Sequence, residues 1–311
     1  MRVTVTGGAG FIGANLCAAL ADLDEVDHVV ALDDLSTGAA TNLAATPAVE
    51  LIEGTILDPR HLDRAFAGAD AVVHLAARGS VPRSVADPMG AHRVNVTGTA
   101  EVLEAVRRAG GPQLVVASSS SVYGDSVVLP KREDQAPRPQ SPYAASKLAT
   151  EAYALAWARV YGLEVLALRF FNVFGPLQPV QHDYAAVVPA FVSAALAGRP
   201  LPMHGDGRQS RDFTYVGSVC RVLADAVRRR VTSPAPVNLA FGSRVTLLEL
   251  VAELEQAVGH PLPIEHGPVR AGDVRHTRAD TTELAKLFPD ATPLPLAEGL
   301  AATVAWFRTP G

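Results

Sequence analysis

The chain has 311 residues, 48% hydrophobic, 19% charged and 6% aromatic, with a formal net charge of −5. At ~150 residues per domain it holds roughly two units, enough to bury a large core without disulfides or metals. The acidic balance argues against a nucleic-acid binder, which usually carries a basic face. Cys17 and Cys220 are too few for a disulfide scaffold or a multi-Cys zinc site. The longest apolar stretch, 184–198, is broken by Pro189 and is shorter than the ~20 residues of a membrane span. Met1 runs straight into a strand-like segment, so no signal peptide is expected and a cytoplasmic location is.

Short β-branched runs predict strands at 2–6, 28–33, 49–53, 71–76, 113–118 and 164–169. Helical patterns between them cover 10–21, 59–67, 92–109 and 142–161. Near-continuous apolar strands imply a sheet covered on both faces. Strand–helix alternation with right-handed crossovers makes that sheet parallel and doubly wound, an α/β fold. After Gly175 the prolines at 176, 179, 189, 200 and 202 break the rhythm. A helix follows at 247–258, and a strand at 237–241 can return to the main sheet. The expected organisation is a nucleotide-binding domain from 1–175 plus about 212–241, with a smaller discontinuous C-terminal domain from about 176–211 plus 242–311. Ligands of such sheets bind at the carboxyl ends of the strands, here just after Thr6, Asp33, Ala76, Ser118 and Arg169.

Right after the first strand, TGGAGFIG at 6–13 runs into a helix. Its glycines permit a tight turn and let a pyrophosphate approach backbone amides at the helix N-terminus, a Rossmann-type signature. Asp33 ends the second strand about 20 residues on, where a carboxylate meets a ribose 2′-OH. Asp34 follows with no arginine beside the pair, which favours NAD over its 2′-phosphorylated form. Asp58 is placed either on the adenine amino group or as a helix N-cap ahead of Pro59.

The segment SPYAASK at 141–147 puts Tyr143 and Lys147 four apart, on one face at a helix start. A nearby cation favours the phenolate of a tyrosine that otherwise titrates near ~10. Upstream, a strand ends in four serines, 118–121, where a hydroxyl can bond a substrate hydroxyl and relay its proton. Dinucleotide loop, serine cluster and Tyr-x-x-x-Lys in this order point to an enzyme.

These motifs resemble the extended short-chain dehydrogenase/reductases, specifically their nucleotide-sugar epimerases. The likeness also includes LDDLSTG at 32–38, HLAA at 74–77, NVTGT at 95–99, SVYGD at 121–125 and RFFNVFGP at 169–176. GDGRQSRDFTYV at 205–216 and RAGDVRH at 270–276 complete it. The resemblance implies NAD as cofactor, Tyr143 as base, Lys147 as its electrostatic partner, and Ser119 as the hydroxyl facing the sugar O4. It implies cofactor contacts from Gly7, Gly10, Phe11, Ile12, Gly13, Asp33, Asp34, Ser36, Thr37, Gly38, Ile56, Asp58, Leu75, Ala76, Ala77, Asn95, Ser118 and Phe170, besides Tyr143 and Lys147. For the substrate, most simply a UDP-sugar, it implies Ser80, Arg83, Ser119, Ser120, Tyr143, Asn172, Val188, Met203, Arg211, Arg270, Asp273 and Thr277. Asn172, Arg211 and Arg270 would take the diphosphate, a task suited to bidentate guanidinium.

The implied activity is 4-epimerisation of a UDP-hexose or UDP-N-acetylhexosamine through a 4-keto sugar. Dehydratases and decarboxylases of the family carry acidic residues where this chain has Ser120 and Ser121, which cannot do acid–base work at neutral pH. Glucuronate epimerases usually place an arginine where Leu177 stands, although Arg83 can substitute. Thr277, in place of a bulky tyrosine, leaves room for a 2-acetamido group. A non-catalytic, NAD-binding regulator is the reading from another class, and the intact Ser119, Tyr143 and Lys147 argue against it. His74 reads as a satisfied core histidine, and no histidine spacing supports a catalytic metal. Helices 92–109 and 142–161 would pair across a homodimer axis, again by resemblance. Arg78, directly after HLAA, has no account in the sequence.

Overall fold

The computed structural model describes residues 1–180, 186–268 and 274–309. The first half alternates strand and helix: β1 (Arg2–Thr6), α1 (Phe11–Ala21), β2 (His28–Asp33), β3 (Val49–Glu53), α2 (Pro59–Phe66) and β4 (Ala71–His74). Then come α3 (Val81–Ala86), α4 (Pro88–His92), α5 (Gly98–Arg108), β5 (Gln113–Ser119), α6 (Pro142–Tyr161) and β6 (Val165–Phe170). The second half holds β7 (Val173–Phe174), α7 (Val187–Leu196), β8 (Leu201–His204), β9 (Ser210–Arg211), β10 (Thr214–Tyr215) and α8 (Val216–Arg228). It closes with β11 (Val237–Leu239), β12 (Val245–Thr246), α9 (Leu247–Val258), β13 (Ile264–Gly267), α10 (Thr282–Leu287) and α11 (Leu296–Arg308).

Among the described residues the main sheet has seven strands in the order β11-β6-β5-β4-β1-β2-β3, every pair parallel. This is the doubly wound α/β fold expected from the strand pattern. The order reverses between β1 and β4, the switch point where such sheets open a crevice for ligands. One face packs on Leu16 and Leu20 of α1 with Val219 and Leu223 of α8. The other packs on Leu62 and Phe66 of α2 with Val102, Leu103 and Val106 of α5. Several polar groups inside the main strands find partners, as most buried polar groups do. Thr4 Oγ1 donates to the Ala65 carbonyl at 2.7 Å, and Gln113 Nε2 donates to the carbonyls of Ala226 and Val231.

The helix expected over 92–109 begins earlier and is not regular. Asp87 caps α4 by accepting from Gly90 N at 2.8 Å, and the run widens over Arg93–Thr97 into a π turn before α5. The widening lets the Asn95 carbonyl accept from both Thr99 Oγ1, at 2.6 Å, and Thr150 Oγ1, at 2.8 Å. Helix α6 starts with Ser141 accepting from Ala144 N at 3.1 Å and Pro142 in the first turn. It ends at Gly162, whose φ of +68° suits a left-handed stop.

A third apolar cluster joins Phe191 of α7, Leu250 and Leu254 of α9, and Leu300 and Val304 of α11. Around it the short strands pair across long stretches of sequence: β7 with β10, β8 with β13, and β9 with β12. Among the described residues no helix is long and apolar enough to cross a membrane.

Candidate active site

A cavity of about 1620 Å³ opens at the carboxyl ends of the main strands and reaches the C-terminal segment at 274–277. The glycine loop forms one wall. Gly7 holds φ +70°, and a Cβ there would lie 2.8 Å from Ala76 N; a Cβ on Gly13 would lie 2.0 Å from the Gly7 carbonyl. No larger residue fits either place, so backbone amides stay open to a pyrophosphate. At the end of β2, Asp33 accepts from Ala9 N at 2.9 Å and from Leu35 N at 2.8 Å. Burial pushes its carboxyl above the ordinary range, and these two amides work against that. Asp34 accepts from Ser36 N and Oγ. A cradle without side chains, followed by an anchored carboxylate, fits a dinucleotide.

Of the expected cofactor residues, Gly7, Gly10, Phe11, Ile12, Gly13, Asp33, Asp34, Ser36, Thr37, Ile56, Leu75, Ala76, Ala77, Ser118 and Phe170 line this cavity. Three stand outside its lining. Gly38 packs behind the glycine loop, where a Cβ would lie 2.7 Å from the Ala9 carbonyl. Asp58 caps α2 by accepting from Arg60 N at 2.9 Å and binds the Arg60 guanidinium at 2.6 Å. Those contacts hold its carboxyl down at about 2. Asn95 is buried and works behind the wall: its Oδ1 accepts from Arg78 N at 2.8 Å, and its Nδ2 donates to Ser146 Oγ at 2.9 Å.

Ser119, Tyr143 and Lys147 all face the cavity. Ser119 Oγ accepts from Ser121 N at 3.2 Å and from Ser121 Oγ at 2.9 Å. Burial pushes the Tyr143 phenol up, and a hydrogen bond with Ser119 opposes the shift. Lys147 Nζ donates to the Ala117 carbonyl at 2.8 Å, and burial lowers its ammonium to about 8. His74 sits beneath, Nδ1 at 2.7 Å from Thr6 Oγ1 and Nε2 at 3.2 Å from Thr99 Oγ1. Burial, with Lys147 nearby, pushes its imidazole to about 3, so it is a neutral core residue.

On the substrate side, Ser80, Arg83, Ser120, Asn172, Arg211 and Thr277 line the same cavity. Asn172 Nδ2 donates to the Asp212 carbonyl at 3.2 Å, and Arg211 Nη1 donates to the carbonyls of Ser210 and Arg275. Thr277 lines the cavity, and its Oγ1 is buried with no hydrogen-bond partner among the described residues. Val188 and Met203 do not reach the lining; both are spent in the third apolar cluster, 2% and 1% exposed. Arg270 and Asp273 lie outside the described residues.

Sequence reasoning missed two supports of the site. Ser84 Oγ accepts from Tyr143 N at 3.0 Å, holding the start of α6. Glu151, one turn beyond Lys147, takes Ser118 Oγ at 2.8 Å and pairs with Arg169 through 2.9 and 2.7 Å contacts. An arginine inside an apolar strand run was the available signal, since arginine is rarely buried without a partner.

The profile of the NAD dependent epimerase/dehydratase family matches residues 3–240. The chain belongs to this family. NAD is its cofactor, in keeping with the cradle and with Asp33. Over 318 residues it is 39% identical to a UDP-glucose 4-epimerase of Mycolicibacterium smegmatis, covering 99% of each chain. It is 36% identical to a dTDP-glucose 4,6-dehydratase of Streptomyces griseus, covering 99% of this chain and 94% of the relative. Among solved structures, a UDP-N-acetylglucosamine 4-epimerase from Methanobrevibacter ruminantium superposes with a TM-score of 0.92 at 34% identity, over 98% and 97% of the two chains.

Proposed function

We propose that this family member is a nucleotide-sugar 4-epimerase, acting on a UDP-hexose or UDP-N-acetylhexosamine. The observation that carries this reading is the convergence of Ser119, Tyr143 and Lys147 on one cavity wall, with Ser120 rather than an acid beside them. NAD, held by the glycine loop and Asp33, would supply a reversible hydride acceptor for the sugar C4. Tyr143 would accept the proton of the sugar O4 and give it back to the same oxygen. Ser119 hydrogen-bonds the same oxygen and keeps it aligned with the phenol. Lys147 holds positive charge near the phenol, which favours the phenolate that burial otherwise opposes. Arg211 and Asn172 tether the diphosphate, with Arg270 expected beside them, while small serines leave the hexose free to turn over. Thr277 on the cavity lining, small where a bulky tyrosine would close the space, favours room for a C2 substituent and hence acceptance of acetamido sugars.

The second reading, a dehydratase, draws on the Streptomyces griseus relative. Ser120 and Ser121 speak against it, because elimination of water needs an acid and a base of suitable pKa. The nucleotide-sugar site is proposed to fall on 176–211 plus 242–311, with NAD on 1–175 plus 212–241. A homodimer in the cytoplasm is part of the same proposal. The test is incubation of the pure protein with UDP-GlcNAc, UDP-Glc and UDP-GlcA, followed by proton NMR. Products differing only at C4 are expected from the first two; loss of water or CO2 overturns the reading.

A further inference from the structure

The switch point lies between β1 and β4, and a dinucleotide crosses a doubly wound sheet there with its pyrophosphate. On the β1 side the loop TGGAGFIG offers amides and no cationic side chain. On the β4 side Leu75, Ala76 and Ala77 line the cavity, followed by Arg78. The two sides are in contact, since a Cβ on Gly7 would lie 2.8 Å from Ala76 N. Arg78 thus enters the cavity two residues from the point where the loops meet. Its backbone is pinned at both ends, the amide donating to Asn95 Oδ1 at 2.8 Å and the carbonyl accepting from Asn95 Nδ2 at 3.3 Å. The guanidinium is 41% exposed and rests on Asp87 through Nη1. Asp87 also lines the cavity and is fixed as the cap of α4.

We propose that Arg78 binds the pyrophosphate of the dinucleotide, supplying the side-chain cation that the glycine loop lacks, with Asp87 as its guide. A planar guanidinium can keep one edge on a carboxylate and turn another to a phosphate oxygen. Such a contact serves oxidised and reduced cofactor alike, because the charge change at the nicotinamide leaves the pyrophosphate untouched. An epimerase needs that evenness, since losing the reduced form in mid-turnover would strand the keto sugar; this advantage rests on the proposed function, whereas the contact itself does not.

The experiment is calorimetric titration of the full chain, stripped of cofactor, with NAD, NADH, ADP-ribose and, separately, UDP. Arg78→Gln is expected to weaken NAD, NADH and ADP-ribose alike by about ten- to a hundredfold, the worth of one or two charge-assisted hydrogen bonds. Arg78→Lys should recover part of that loss, and added salt should weaken the wild type more steeply than Arg78→Gln. UDP binding should stay unchanged in both variants. Unaltered NAD affinity in Arg78→Gln overturns the proposal. So does a loss seen with NAD but not ADP-ribose, or a loss confined to UDP, which would place the guanidinium on the substrate. No turnover is measured, so a wrong substrate assignment leaves the outcome readable.

Discussion

Lys147 meets the cavity with one carbonyl on its ammonium, that of Ala117, and burial brings its titration down from 10.5 to about 8. The cation is therefore present at neutral pH and is lost as pH rises through that value. In the proposed mechanism Tyr143, whose phenol burial pushes up, then loses the cation assigned to help it ionise. The rate of the free enzyme, as kcat/KM, should fall on an alkaline limb near pH 8, and Lys147→Arg should remove the limb at a lower overall rate. An arginine stays charged to ~12 or above. A pH–rate profile in which the limb persists in Lys147→Arg would assign it to another group. That Ser119, Tyr143 and Lys147 line one cavity was legible from the sequence, because they fall within one strand end and one helix turn. Ser84 was not, because its bond to Tyr143 N joins segments that only the fold brings together.

Between elements, the Glu151–Arg169 pair fastens α6 to β6, with Ser118 at the end of β5 as third member. The two side chains are 5% and 2% exposed, and the Arg169 guanidinium also covers the Tyr123 ring at 4.7 Å. Removing one partner of such a pair leaves a bare buried charge, which costs more than the pair itself contributes. Glu151→Gln is accordingly expected to lower unfolding free energy by about 3–5 kcal/mol in urea titration. A loss of about 1 kcal/mol or less would mean the pair behaves like a surface ion pair. Apolar strands and capped helices were readable locally; the π turn at Arg93–Thr97 was not. The bond it makes possible, from Thr150 of α6 to the Asn95 carbonyl, has no trace in the local pattern.

At the scale of the molecule, α6 carries an aromatic ladder of Tyr153, Trp157 and Tyr161, with ring centroids 5.5 and 5.8 Å apart. Tyr153, Val160 and Tyr161 are exposed, and a patch of this kind suits a partner surface. If the proposed homodimer uses it, light scattering should report a dimer for the wild type and a monomer for Tyr153→Glu combined with Val160→Glu. A dimer that survives both charges uses another face. The parallel, doubly wound character of the sheet was inferable from strand–helix alternation, and β11 falls within the strand foreseen at 237–241. The pairings of β8 with β13 and β9 with β12 were not legible, since strands of two to four residues leave no periodic signal. The position of β11 also bears on how the protein is made. Until the ribosome has added Val237–Leu239, β6 forms an uncovered edge of the main sheet. A nascent chain keeps that edge open while the whole intervening stretch is synthesised, the period when pairing with another chain is easiest.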